Sequence, residues 1–354
     1  MKGRLAGSDA TRCFPPFRPR GFSRLVALVV ALAMGIGLAA RVGAEDTSFF
    51  RIATGSSDSP FFAIGGLLAS AISKPPGSRA CSAGGSCGVP GLIAVAVSTE
   101  GPVANVEMVN GEKLESGLLS ADTAYWAYRG EGPFQGRGKF RNLTAIASLY
   151  PETIHLVVAR KAKIHDVKAL AGKRISLGPE RSGDADTARE ILQVYGVTSA
   201  KAKLRYDAPK QAAELLKKGR IDAFFVTAAG RSDVVSELAA SMEIEIVPLT
   251  DQQAQTLIGR LPFLAVVRIP AGTYKGIGET STLGVPAQWI VSEKVPEEVV
   301  YGITRALWHA TTRRLLDSRT PEGKQIKPEA ALDGLGVPLH PGAARYYREV
   351  RMLK

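Results

Sequence analysis

Residues 49–54 (FFRIAT) form a short apolar run ending in the small polar stretch GSSDSP, after which FFAIGGLLASAIS carries apolar positions at helical spacing. The order strand, loop, helix then returns. Residues 92–98 (LIAVAVS) read as a second strand and GPVANVEMVNGEKLE as a helix; Leu118 and Leu119 lead through Ser120, Ala121 and Asp122 into TAYWAYRGEGPF. A boundary is expected over residues 143–150 (LTAIASLY), before Pro151. Beyond it IHLVVAR reads as a buried strand, VKALAG as a helix, RISLG as a strand, PERSGD as a loop, and a helix begins at Asp184. Residues 203–206 form a short strand, QAAELLKKG a helix ending at Gly219, IDAFFVTAAG a strand, and EIEIVPL alternates as a strand does. The Pro/Gly-rich stretch IPAGTYKGIGETST precedes the apolar run LGVPAQWIVS, and helices finish the chain, VPEEVVYGITRALWHATTRRLL being the longest.

A chain of 354 residues exceeds the size at which one core stops growing, about 250–300 residues. Two α/β lobes joined by a hinge are therefore expected, the first from residues 45–150 plus 289–354 and the second from residues 151–288. The final helices, having no strands of their own to cover, are expected to return to the first lobe. Strand-loop-helix units place helix N–H groups at the carboxyl ends of strands, where open α/β sheets bind ligands. A cleft between the lobes is the expected site.

The N-terminus changes the charge picture. Residues 1–44 hold seven Lys/Arg and one acid, and residues 25–40 form an uncharged apolar run of 16 residues that leads to Val42-Gly43-Ala44. That run is shorter than the ~20 residues needed to span a bilayer and precedes a small-residue cleavage pattern, so residues 1–44 read as a secretory signal peptide and the protein as periplasmic. Its removal takes the formal net charge from +12 to +6. The remaining basic residues are spread over several amphipathic stretches rather than one aromatic-studded stripe, which gives no footing for nucleic acid. Cys81 and Cys87, six apart in RACSAGGSCGVPG, suit a disulfide in an oxidising compartment. Their spacing, without a neighbouring His, matches no metal-ligand pattern, and neither metal nor cofactor is expected.

Catalysis has no foothold in the motifs. The strand-to-helix turn at Gly55-Ser56-Ser57 carries no G-x-S-x-G, no dinucleotide fingerprint, Walker loop or HExxH appears, and His155, in an apolar strand, reads as a satisfied core histidine. His340 reads as a packing or capping residue near the C-terminus.

In order along the chain stand ATGSSDSPFF, SCGVPG, VANVEMVNGEKLESGLLSADTAYWAYRGEGPF, LYPETIHLVV, GKRISLGPERSGDADTA, GRIDAFF, IPAGTY and LHPGAARYYRE. This set resembles the TAXI-type periplasmic receptors of TRAP transporters over about residues 48 to 350. The resemblance implies a type II periplasmic-binding fold that captures a small carboxylate, such as an acidic amino acid, glutamine or a 2-oxoglutarate-like dicarboxylate, and hands it to a TRAP membrane permease. A monomer is expected. Where the family usually has Gly-Ser-Gly-Thr-Glu in the second loop, Arg181-Ser182-Gly183-Asp184-Ala185 stands here.

A carboxylate leaving water needs donors already in place. From the first loop Thr54, Gly55, Ser56 and Ser57 are expected to supply them, with Phe61 as an apolar wall. From the second, Ser182, Gly183 and Asp184 precede a helix, and Arg181 offers a guanidinium for a bidentate grip. Asp184 or Asp186 is alternatively the partner of a ligand ammonium. Asp122 and Tyr125 at the third strand's end, Glu152 at the crossover and Tyr274 in IPAGTY complete the candidates.

Overall fold

The computed structural model describes residues 47–57, 59–180 and 182–354; the expected signal peptide, Asp58 and Arg181 lie outside the described residues. The first half runs β1 (Ser48–Ala53), α1 (Pro60–Ile72), β2 (Ser73–Lys74), β3 (Val89–Pro90), β4 (Leu92–Val97), α2 (Pro102–Asn110), β5 (Ser116–Ser120) and α3 (Ala121–Arg129). The long strand β6 (Leu143–Ala159) leads into β7 (Arg174–Ser176), α4 (Gly183–Val194), β8 (Lys203–Arg205), α5 (Pro209–Lys217), β9 (Ala223–Ala229), α6 (Asp233–Ser241), β10 (Ile244–Ile246), α7 (Gln252–Arg260) and β11 (Ala265–Ile269). A second long strand, β12 (Thr280–Ser292), precedes α8 (Glu297–Leu307), α9 (Ala310–Arg319), α10 (Pro321–Gln325) and α11 (Pro341–Glu349).

The main sheet has the order β4-β1-β5-β12-β6-β9-β7-β8, with β10 added to β6 and β11 to β12. Read from either end, three parallel strands meet one antiparallel strand, and the two antiparallel strands, β12 and β6, pair with each other at the centre. One device sets register in both halves. The Arg51 N–H, Nε and Nη2 donate to Glu115 at 2.7, 2.9 and 2.6 Å, tying β1 to the start of β5. Arg174 on β7 does the same with Asp222, just before β9, at 2.8, 3.0 and 2.8 Å.

Three cores cover this sheet. Alternation sends Leu156, Val158, Ala223 and Phe225 into one core that also holds Leu119 and Ile290, while Val157, Phe224 and Val226 enter a second core on the opposite face. The third core joins Leu118, Trp289 and Val291 to Val300, Ile303, Leu307 and Tyr347, so the C-terminal helices pack on the strands of the first half. The Tyr347 hydroxyl donates to the Ile146 carbonyl at 3.0 Å, and Gln288 bonds Gly334 and Gly336 of the returning segment.

Several expectations change. Residues 143–150 and IHLVVAR form one strand through Pro151 rather than a boundary and a new strand. Pro151 is tolerated because its partner across the sheet is Pro286, beside a register shift between Pro286 and Gln288, so neither residue withholds a donor from a regular ladder. The VKALAG segment is a single 3₁₀ turn, Lys168–Leu170, which Gly172 ends with φ 78°. The long terminal helix is broken at His309, whose ring accepts from Thr311 N and so caps α9. Among the described residues no helix is long and apolar enough to cross a membrane.

Candidate functional site

The first loop turns most of its polar groups inward. Thr54 is fully buried, and both its N–H and its hydroxyl donate to the Val97 carbonyl, at 3.0 and 2.8 Å. Asn105 donates to the Thr54 and Leu118 carbonyls at 2.6 and 2.7 Å, locking the ends of β1 and β5 together. The Gly55 carbonyl accepts from Thr99 N and Ser98 Oγ. Ser56 and Ser57 remain exposed ahead of α1, which Ser59 caps by accepting from Phe62 N at 3.2 Å. Phe61 is half-buried with its ring 6.4 Å from that of Tyr150.

The second loop meets α3 directly. Ser182 caps α4 by accepting from Ala185 N at 3.2 Å, and its own hydroxyl donates to the Pro179 carbonyl. Asp122, in the first turn of α3 and 1% exposed, accepts from Thr123 N at 2.5 Å and from the Thr187 hydroxyl of α4 at 3.1 Å. Gly183 is the close approach between the helices, because a Cβ there would stand 2.9 Å from both Asp122 carboxylate oxygens. The positive ends of α3 and α4 thus converge on one carboxylate, an arrangement that favours negative charge there.

More carboxylates surround it than helix ends can serve. Burial pushes Asp122 up, against the hydroxyls of Ser120, Thr187 and Thr123, which favour its charged form. Asp184 is pushed up to about 7 by burial and by the charge of Asp122, with the Thr227 hydroxyl opposing. Glu152 is held well above the usual carboxylate range by burial, then by Asp184 and Asp122. Glu152 and Thr227 share a face of the sheet, since the β6–β9 register pairs Glu152 with Ala229 and Ile154 with Thr227. Tyr150, 2% exposed, has a hydroxyl with no hydrogen-bond partner among the described residues, and burial and then the charges of Glu152 and Glu322 push it up. Asp186 stands apart from the trio, being paired with Arg189. Asp122 and Asp184 both raise Glu152, and Asp122 raises Asp184, so this neighbourhood favours bound protons or an incoming cation.

The remaining candidates fall elsewhere. Tyr125 is half-buried among aromatics, edge-on to Trp126 and Phe263 at 5.1 and 5.2 Å between centroids, with the Arg129 guanidinium over its ring. Tyr274 packs in the core on the opposite face of the second half. Its hydroxyl accepts from Ser232 N at 2.8 Å and donates to His155 Nε2 at 2.9 Å, so its proton is already engaged inside that core, where the residue is buried. His155 completes this chain by donating from Nδ1 to the Thr153 carbonyl, and burial lowers its pKa to about 4, as suits a neutral core histidine. His340 caps α11 and bonds the Val295 carbonyl. Cys81 and Cys87 form the disulfide. A cavity of about 580 Å³ opens beside the α3–α4 contact, lined by Trp126, Gly132, Asp186, Arg189 and Tyr206. Glu131, Glu180 and Glu190 line it too; Asp186, Glu131 and Glu190 are paired with Arg189, Arg129 and Arg260, and it contains none of the trio. Thr187, Thr227, Asn105 and Tyr150 were not legible as site residues, because lone hydroxyls and amides carry no motif.

A sheet built of two like halves, with both crossings at its centre and helix ends meeting over it, defines a type II periplasmic-binding-protein-like α/β fold. Residues 52–350 match the NMT1-like family, and the chain belongs to that family. Similar solved structures include XAC2383 from Xanthomonas citri bound to ATP, 11% identical over 86% of this chain and 96% of that one, with a TM-score of 0.50. A TctC solute binding protein from Polaromonas matches at 16% identity, 86% and 98% coverage and a TM-score of 0.47. The periplasmic aliphatic sulphonate binding protein SsuA from Escherichia coli matches at 13%, 86% and 88%, and 0.45. At these identities the likeness is one of fold.

Proposed function

We propose that this protein is a periplasmic solute receptor of the TAXI type, exported by residues 1–44, that closes on a small amino acid and delivers it to a TRAP membrane permease. Its two lobes are residues 45–150 plus 289–354 and residues 151–288, with β6 and β12 as the hinge. The observation that carries the reading is the hydrogen bond from Thr187 to Asp122 with Gly183 against the same carboxylate, a contact between one lobe and the other made at two helix N-termini. Among the expected carboxylate ligands an amino acid fits better than a plain dicarboxylate. Its ammonium has Asp122, Glu152 and Asp184 to meet, and its carboxylate has the exposed donors of Ser56 and Ser57 ahead of α1. Binding without chemistry is favoured because His155, His309 and His340 are engaged in packing or capping. The relatives' names support a solute-binding role, TctC and SsuA being described as binding proteins.

A thermal-shift screen of the purified protein tests this. Glutamate or glutamine at about 100 times its dissociation constant is expected to stabilise the native state by roughly 2.7 kcal/mol. A larger shift with 2-oxoglutarate or glutarate would overturn the amino acid assignment, and turnover of an ester or amide with no shift by any carboxylate would overturn the receptor.

A further inference from the structure

The disulfide has a neighbour that its sequence context does not contain. His309, 228 residues beyond Cys81, places Nε2 4.0 Å from the Cys81 sulfur. One donor atom from each of Cys81, Cys87 and His309 lies within 4.8 Å of the others, and all three residues are half-buried. We propose that this trio is a thiol-gated metal site, closed while the disulfide is intact and able to bind one Zn²⁺ once a dithiol reductant opens it.

The donor set is that of a soft or borderline cation, two sulfurs and one imidazole, with the fourth tetrahedral position open. Zn–S bonds of about 2.3 Å and Zn–N bonds of about 2.0–2.1 Å put tetrahedral donor atoms roughly 3.4–3.8 Å apart, inside the present spacing of the cluster but beyond a disulfide bond. Reduction therefore has to precede binding. Two electrons from the dithiol break the Cys81–Cys87 bond while the dithiol closes to its own disulfide. The two cysteine sulfurs take up a proton each and release both when Zn²⁺ binds. The imidazole makes a matching exchange. At present Nδ1 accepts from Thr311 N at 3.2 Å, which puts the proton on Nε2, facing sulfur. Moving that proton to Nδ1 frees Nε2 for the metal, and Thr311 Oγ1, 2.8 Å away, accepts it.

Hydrogen bonds and close backbone contacts, as well as the covalent bond, tie the loop down. Gly85 N donates to the Ala80 carbonyl at 3.0 Å, Gly88 N to Ser86 Oγ at 3.1 Å, and the Ser86 hydroxyl to the Ser73 carbonyl. Gly85 and Gly88 lie so close to the Arg79 and Ile72 backbones that a Cβ would stand 1.9 and 2.2 Å from their carbonyl oxygens. Gly84, with φ 80° and open space around it, lets the two sulfurs part.

Anaerobic titration of the full-length protein with Co²⁺, with and without prior reduction by a dithiol that is removed by desalting before the metal is added, tests the site. The reduced protein is expected to bind one equivalent with the thiolate charge-transfer and d–d absorption of tetrahedral cobalt, displaced by Zn²⁺, and the oxidised protein none. Cys81→Ser/Cys87→Ser should abolish the bands. His309→Asn keeps a capping acceptor for α9 and should weaken Co²⁺ binding at least about tenfold while melting stays near wild type. Absence of the bands after reduction, or bands and affinity unchanged in His309→Asn, would overturn the proposal.

Discussion

Gly183 stands against Asp122 with no room for a methyl group between the helices that carry them: a Cβ there would also meet the Thr123 hydroxyl at 2.5 Å. Gly183 is not among the glycines with positive φ, so alanine suits its backbone and the strain falls only on the α3–α4 contact. Gly183→Ala is expected to weaken glutamate or glutamine binding about tenfold, or ~1.4 kcal/mol, by isothermal calorimetry, with unliganded melting little changed. Unchanged affinity would mean that the liganded form does not need this contact.

Asp184 has a folded-state pKa of about 7 against 3.8 when unperturbed. Because the folded value is the higher one, the group's stabilisation is complete below about pH 4 and is lost as pH rises through 7. Asp184→Asn removes that loss. The unliganded variant is expected to melt about 2 °C or more above wild type at pH 8, to match it near pH 4, and to bind the amino acid poorly. A lower melting temperature at pH 8 would show that a positive group already compensates the carboxylate.

His155 acts in the opposite sense. Its pKa falls from 6.5 to about 4 on folding, so stability is complete above pH 6.5 and declines as the unfolded chain gains a proton between pH 6.5 and 4. With the residue fully buried, the decline from this group amounts to about 3 kcal/mol at most. Urea unfolding of His155→Gln across that range should show a shallower acid slope than wild type. Parallel curves would mean that the imidazole takes up a proton in the native state.

Opening the disulfide is expected to destabilise only modestly. The enclosed loop is short, and chain entropy assigns it about 2 kcal/mol. Cys81→Ser/Cys87→Ser should therefore stay folded at 25 °C with a melting temperature lower by only a few degrees. Failure to fold would show that the loop's backbone bonds depend on the covalent link.

The repeating strand-loop-helix order was legible in the chain, as was the cystine pair, because each rests on local period or short spacing. The site was legible only where a loop precedes a helix. Ser182, Gly183, Asp122 and Asp184 were named as candidates that way, and the structure brings Gly183 against Asp122. Their partners were not. Thr187 and Thr227 are single hydroxyls brought in by α4 and β9, and the Tyr150 hydroxyl, buried without a partner among the described residues, gets its burial from packing. Pro151 looked like a break because the compensating Pro286 lies 135 residues away in the sequence. His309 was invisible to a reading of the cysteine loop for the same reason.

The matching Arg51–Glu115 and Arg174–Asp222 clamps leave each wing with its own means of keeping its strands aligned. Loosening one clamp is then expected to disturb strand alignment in its own wing and to leave the other wing's register intact.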